Sequence, residues 1–528
     1  MNDTRPITPF EGMDIRTLVD MQARLRADHP FLVWEPFEGE GRTWTFAEFA
    51  ETVRRFAAGL QARGVTPGAR VLVHLDNCAE SVIAWLGCAY AGAVPVTTNA
   101  RAAEDELAYF AEHSKSVGAI TQPKFAALVA RAAPQLGWTV VSATDNGAPP
   151  QDDVSGFEPF AAIDGDPASL AERPHDPWSP FGIQYTSGTT ARPKAVLWTH
   201  ANALWGAKMC ATNEGLQPAD VHLVHLPLFH TNAQSYSVLA SLWAGGTAVL
   251  VPRFSASRFW PVSLRHGATW TSLVPFCVKA LMGFPVPENH SYRLWGNAIC
   301  APPTDAHFRV QTIGWWGMTE TITHGTVGIV GHDNAPLSMG RPAPGYEIHV
   351  RREDGQPAGP GEVGDLLVRG VRGVSLFLEY ASNPEATAAA FTEDGLFITG
   401  DRVMRGLDGW FYFADRSKDM LKVGGENVAA SEIERVILTV PGVAEVAVVA
   451  MRHAMLDEVP AAFVIPAPDG AEALEERIMA ACARALASFK QPHLVRLVDS
   501  LPRSTLEKVA KAELRAMLAA ETEAAPAS

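Results

Sequence analysis

The chain has 528 residues, an apolar fraction of 47% and a formal net charge of −15. That length supports more than one domain, and that apolar fraction excludes wholesale disorder. The negative charge excludes a general binder of nucleic acid or anionic membrane, since both surfaces would repel it. Six scattered cysteines with no C-x-x-C pair read as reduced, buried thiols, not as a disulfide frame or a zinc site. The first residues lack a signal-peptide core, and no uncharged apolar run reaches the ~20 residues that span a bilayer. A soluble, cytoplasmic protein is expected.

In chain order, residues 45–63 are amphipathic, and Thr45 with Glu48 fits a capping box. Gly64 ends that helix, 66–68 turns, 70–75 reads as a strand, 81–91 as a buried helix and 93–96 as a strand. A third round spans 104–125. Strand, helix and strand in succession predict parallel β-α-β units, hence an α/β fold with helices on both sheet faces. Residues 143–180 dissolve into Asp, Gly, Pro and Ser, as a surface connection would.

Phe181, Ile183 and Tyr185 then alternate as a short strand, and 195–198 are apolar again. Between them stand Thr186, Ser187, Gly188, Thr189, Thr190, Pro193 and Lys194. Hydroxyls, a backbone-only residue and one mobile ammonium can surround phosphates. The G-x-x-x-x-G-K-[ST] spacing is absent, so this is not a Walker loop. Taken alone, it reads equally well as a polar surface turn.

After His200 the alternation resumes: a strand at 222–226, a helix at 235–244 closed by Gly245 and Gly246, a strand at 247–251 and a buried segment at 270–282. A loop-rich stretch leads to Gly314. Residues 314–320 read Gly-Trp-Trp-Gly-Met-Thr-Glu. An exposed Trp316 followed by Gly317 would offer a flat face to a purine, and Glu320 is a hard oxygen ligand for Mg²⁺ beside phosphates. Standing alone, the stretch is better read as a buried Trp pair with a structural Glu. From 338 on, short strands at 346–350, 365–369 and 409–413 predict a β subdomain. Thr399-Gly400-Asp401 ends in a carboxylate, whose two acceptors suit a vicinal diol. A helix at 431–438, strands at 443–451 and 461–465 and a helix at 472–486 then form a small α+β unit.

In this order, these motifs resemble those of the acyl-adenylate-forming superfamily, which holds acyl-CoA synthetases, peptide-synthetase adenylation domains and luciferases. The resemblance runs over nearly the whole chain, and its texture after Gly317 looks most like the crotonobetaine/carnitine–CoA ligase subgroup. It implies a large domain at 1–417, built of α/β subdomains plus the β subdomain, and a small mobile α+β domain at 418–528. The hinge falls at Lys418, and the tail 521–528 is expected to be disordered. Thr186, Ser187, Gly188, Thr189, Thr190 and Lys194 would hold the phosphates of ATP. Trp316, Gly317 and Thr319 would receive the nucleotide, Asp401 the ribose hydroxyls and Arg416 ribose or phosphate. Glu320 would hold Mg²⁺, and Gly424 and Gly425 would line the channel for the coenzyme A arm.

Lys508 would contact the substrate carboxylate and the α-phosphate, completing with Thr186, Glu320 and His230 the implied catalytic group. His230, Asn232, Gln234 and His324 would line the acyl pocket. Their polarity points to an acid with a second polar group, unless these side chains face backbone or water. The implied reaction joins an acid and ATP into an acyl-adenylate and pyrophosphate, then passes the acyl group to CoA. Two rivals stay open: transfer to a carrier protein or an amine, and a homologue that binds without catalysis. A homodimer is also open. Ala191, Ala195 and Glu507 stand where the superfamily carries Gly, and Glu507, beside Lys508, is expected to weaken adenylation without abolishing it. The short stretch 291–311 is expected to remodel the adenine and acyl pockets.

Overall fold

The computed structural model describes residues 8–186, 193–416, 420–423, 426–453, 456–468, 472–486, 488–503 and 509–524. They pack as two compact units, Met1–Ile348 with Val368–Phe397 and His349–Leu367 with Ile398–Ser528. The second unit therefore takes in strands ahead of the expected boundary at 417/418. Lys418 lies outside the described residues, and the boundary there stays a proposal.

The first unit carries two large sheets flanked by helices, the expected α/β architecture. In the first sheet Arg70–His74 pairs in parallel with Val94–Thr97 and with Gly118–Thr121, and Val94–Thr97 with Pro180–Thr186. The helix Phe46–Ala62 precedes these strands. Its capping box is formed: Glu48 N donates to Thr45 Oγ1 at 3.2 Å and Thr45 N to Glu48 Oε2 at 2.8 Å. The hairpin Pro180–Thr186 with Lys194–Thr199 closes the sheet toward its edge, where Glu379–Tyr380 adds antiparallel to Lys194–Thr199.

The second sheet is built on parallel strands Val221–Val224, Thr247–Leu250, Trp270–Ser272, Leu294–Asn297 and Thr312–Gly317. The buried segment at 270–282 resolves into the strand Trp270–Ser272 and the helix Pro275–Leu281. The stretch expected to be loop-rich contains the strand Leu294–Asn297 and the helix Thr304–Phe308. Both elements are shorter than a periodicity window, which is why the pattern missed them. The helix expected at 235–244 begins as a π-helical segment, Asn232–Leu239, before the α-helical turn Ala240–Ala244. Gly245 ends it at φ +75°, a left-handed position that glycine fills without strain.

Toward the C-terminus, Glu347–Arg351, Val363–Arg369, Phe397–Arg405 and Phe411–Arg416 form a four-stranded sheet. A five-stranded sheet follows, in which the long antiparallel pair Val443–His453 and Asp457–Pro466 is the spine. Strand alternation splits that pair between two cores. Val446, Val448 and Val464 pack with Ile433, Ile437 and Ile478 of the helices Ala430–Leu438 and Leu474–Ala485. Ala447, Val449 and Phe463 face the other way, toward Leu514 and Leu518 of the helix Lys511–Ala524.

Candidate active site

The hairpin that carries the hydroxyl-rich loop is fixed by its strands. Thr186 and Lys194 are register partners, and Thr186 Oγ1 donates to the Lys194 carbonyl at 3.5 Å. Ser187, Gly188, Thr189 and Thr190, expected to surround the phosphates, lie outside the described residues. Lys194 reaches across its own strand edge, with its ammonium 4.6 Å from the centroid of the Tyr380 ring. Tyr380 Oη in turn donates to Glu320 Oε1 at 2.9 Å. Burial and the neighbouring Glu320 charge both push the Tyr380 hydroxyl well above its ordinary range, so it stays a donor. One tyrosine thus links the loop lysine to the expected magnesium ligand. The sequence reading did not single out Tyr380, since nothing local marks it.

Tyr380→Phe is expected to lower kcat about tenfold, the loss of one hydrogen bond to a charged group. Steady-state AMP release checks it, and an unchanged rate would remove the tyrosine from the site.

Glu320 stands on a short 3₁₀ turn, Thr319–Thr321, directly after the strand Thr312–Gly317. Trp198 Nε1 donates to the Thr319 carbonyl at 2.9 Å, and Phe377 N to the Glu320 carbonyl at 2.9 Å. The next residue, Ile322, is β-branched, fully buried and held at φ +63°. Such a residue at positive φ stores on the order of 1–3 kcal/mol of strain and persists only where packing over-determines it. It lies between Glu320 and His324, at the reversal into the strand His324–Val327.

Trp316 was expected to be exposed. It is 7% exposed, and its ring lies against Gly325, where an added Cβ would come within 2.5 Å of it. The ring is therefore part of the hairpin Thr312–Gly317 with His324–Val327 and presents no open face at the surface. Gly317 is required sterically, because a Cβ there would meet Tyr236 Oη at 2.3 Å.

Of the expected acyl-pocket residues, His230 and Asn232 are half-buried at the start of the π-helical segment. Gln234 is bonded within the fold at both ends of its amide. It is 1% exposed, its Oε1 accepts from Gln184 Nε2 at 2.7 Å, and its Nε2 donates to the Leu228 carbonyl at 2.7 Å and to Thr97 Oγ1 at 3.2 Å. With both ends of its amide used, it braces the segment. His324 is fully buried, and burial lowers its pKa to about 3, so the imidazole is neutral.

In the second unit, Asp401 and Arg416 are register partners on the antiparallel strands Phe397–Arg405 and Phe411–Arg416, so two motifs fifteen residues apart meet across one ladder. Gly400, at φ +74°, turns the chain there, and Asp401 N donates to Thr399 Oγ1 at 3.0 Å. The hairpin Met420–Val423 with Glu426–Ala429 pairs Val423 with Glu426 on either side of Gly424 and Gly425, which lie outside the described residues. Lys508 lies outside them too. Its flanks are bridged, Arg503 to Val509, and Arg503 Nη2 binds both Glu445 oxygens at 2.8 and 2.7 Å.

Comparison with known proteins finds two matching family models. The family model for AMP-binding enzymes matches residues 19–380, and the model for the AMP-binding enzyme C-terminal domain matches residues 432–508. A crotonobetaine/carnitine–CoA ligase from Citrobacter koseri is 33% identical, over 96% of this chain and 99% of the relative. The solved structure of a benzoate CoA ligase from Burkholderia xenovorans is 26% identical with a TM-score of 0.84, covering 95% of this chain and 100% of that one. An o-succinylbenzoate coenzyme A synthetase from Bacillus subtilis, solved with ATP and a magnesium ion, is 26% identical with a TM-score of 0.80, covering 95% and 99%.

Proposed function

We infer the working of this site from one premise: the chain belongs to the family of AMP-binding enzymes. It is an AMP-forming acid–thiol ligase that joins a carboxylic acid to CoA through an acyl-adenylate. The roles of its residues are our proposal, and the observation that carries them is the contact series Lys194–Tyr380–Glu320.

Phosphoryl-type transfer asks the protein mainly for positioning and charge neutralisation. Thr186 and Lys194 hold the phosphates from the hairpin, with Ser187, Gly188, Thr189 and Thr190 completing the loop. A buried carboxylate with one oxygen fixed by a tyrosine hydroxyl fits Mg²⁺, which takes one or two protein carboxylates plus phosphate oxygens. Bound there, the ion would neutralise charge on the phosphates. The acid enters past His230, Asn232 and His324, and its carboxylate attacks the α-phosphorus and displaces pyrophosphate, while Lys508 neutralises the charge that develops. CoA thiol then attacks the acyl carbonyl with AMP as leaving group, the pantetheine arm passing Gly424 and Gly425. Rotation about Lys418 between the half-reactions would bring the two sets of residues to the site in turn. Among the described residues no helix is long and apolar enough to cross a membrane, and all six cysteines are buried. Both support work in the cytoplasm.

The test is acid-dependent pyrophosphate release, with products identified by mass spectrometry when CoA, a pantetheinylated carrier protein or an amine is offered separately. AMP and acyl-CoA from the CoA arm alone is the expected result. Asp401→Ala is expected to raise the KM for ATP about tenfold to a hundredfold, as lost charge-assisted bonds to two ribose hydroxyls would. A folded variant with unchanged KM for ATP would sink that assignment.

A further inference from the structure

Neighbouring parallel strands of the second sheet end together at one cleft. Phe37 follows the strand Pro30–Trp34, His225 follows Val221–Val224, and Arg253 follows Thr247–Leu250, which pairs with both of the others. In open α/β sheets ligands gather at the carboxyl ends of the strands. None of the residues assigned to the reaction lines this cleft.

Its walls are apolar, formed by Leu223, Val251, Phe254, Phe259 and Val262, and it encloses about 220 Å³. That is below the range of sites for drug-sized ligands and suits a single ring with one attached group. Sunk among these walls is His225, 3% exposed, with Phe254 and Phe259 at 5.3 and 6.2 Å from its ring. Neither of its ring nitrogens bonds another residue. Burial lowers its pKa to about 3, so the imidazole is neutral and offers one donor and one acceptor. Buried polar groups of this kind are normally satisfied by a partner.

The mouth of the cleft is cationic. Arg253 and Arg258 are exposed, and their guanidiniums lie 5.6 and 4.8 Å from the centroid of the same Phe37 ring. Neither has an ion-pair partner among the described residues. The helix Ala256–His266 also starts here. Its cap, Ser255, lines the cleft but makes no capping bond, and its hydroxyl meets Ser257 Oγ at 3.3 Å. A helix start whose N–H groups are left unfilled attracts an anion. Arginines resting on an aromatic ring are common on protein surfaces. That habit explains neither the unsatisfied imidazole nor the apolar hollow that opens beside them.

We propose that this cleft is a second binding site, for a small aromatic oxyanion. Its ring occupies the apolar hollow beside His225, and its carboxylate or phosphate is held by Arg253, Arg258 and the start of the helix Ala256–His266. Guanidiniums match either oxyanion through charge-assisted hydrogen bonds. The site does not depend on the ligase reading, since it shares no residue with it.

Titration calorimetry on the full-length protein, with the ATP site filled by α,β-methylene-ATP, tests it. The probes are benzoate, phenyl phosphate, inorganic phosphate and benzyl alcohol. Benzoate or phenyl phosphate is expected to bind, and the tighter of the two identifies the oxyanion. Arg253→Gln and Arg258→Gln are each expected to weaken that binding about tenfold to a hundredfold, with kcat and KM for ATP unchanged. An aromatic anion held equally well by both variants sits elsewhere and overturns the site. Benzyl alcohol bound as tightly as the anions overturns the ionic half of the assignment, and inorganic phosphate bound as tightly as phenyl phosphate overturns the ring half. No binding of any probe overturns the whole and leaves the ligase standing.

Discussion

Lys508→Ala is expected to lose adenylation by about 100- to 1000-fold while still making thioester from supplied acyl-AMP and CoA at close to the wild-type rate. The lysine is assigned only to the first half-reaction, where negative charge develops on the α-phosphate oxygens as the acid attacks. An ammonium is a compact point charge for that task, and a methyl group supplies none of it. Although Lys508 lies outside the described residues, its flanks are fixed. Arg503 is bridged to Val509 and held by Glu445, and Ala510 N donates to the Pro502 carbonyl at 2.8 Å. Loss of the side chain should therefore leave the fold of the second unit unchanged, and a thermal melt would show it. Equal loss in both half-reactions would mean that Lys508 does not have the role assigned.

The parts of this molecule that were legible in its sequence are those whose signal is local. The capping box at Thr45 needs only four residues, and the alternation of strand and helix from 45 to 125 needs only one turn of context at a time. Asp401 and Arg416 were recognised as two motifs, and their meeting across one ladder follows from a tight antiparallel return. Tyr380 was missed because its meaning is non-local. Tyr380 matters through Glu320, sixty residues away in sequence. Trp316 and Gln234 are more deeply placed than their residue types suggest. Each is a residue type that binds ligands, and the backbone turns each inward: Trp316 against Gly325, and Gln234 onto Gln184 and the Leu228 carbonyl.

Glu320→Gln is the second large effect expected, a loss of about 100-fold in adenylation together with a higher Mg²⁺ requirement. The change keeps volume and keeps an acceptor for the Tyr380 hydroxyl, so what it removes is charge. A purely structural Glu320, holding Tyr380 in place, would tolerate an amide almost as well as a carboxylate. An ion ligand would not, because an amide oxygen carries no net charge against a divalent cation. Titrating Mg²⁺ at saturating ATP separates the two: a wild-type midpoint with kcat within about threefold would make Glu320 structural. The partner variant sharpens the test. If Tyr380 acts by orienting Glu320, Tyr380→Phe should cost much less in the Glu320→Gln background than in wild type, and the cycle should show coupling well above the ~0.5 kcal/mol of independent sites. Additive losses would place Tyr380 with Lys194 and the phosphates instead, since its ring lies 4.6 Å from that ammonium whether or not Glu320 is charged.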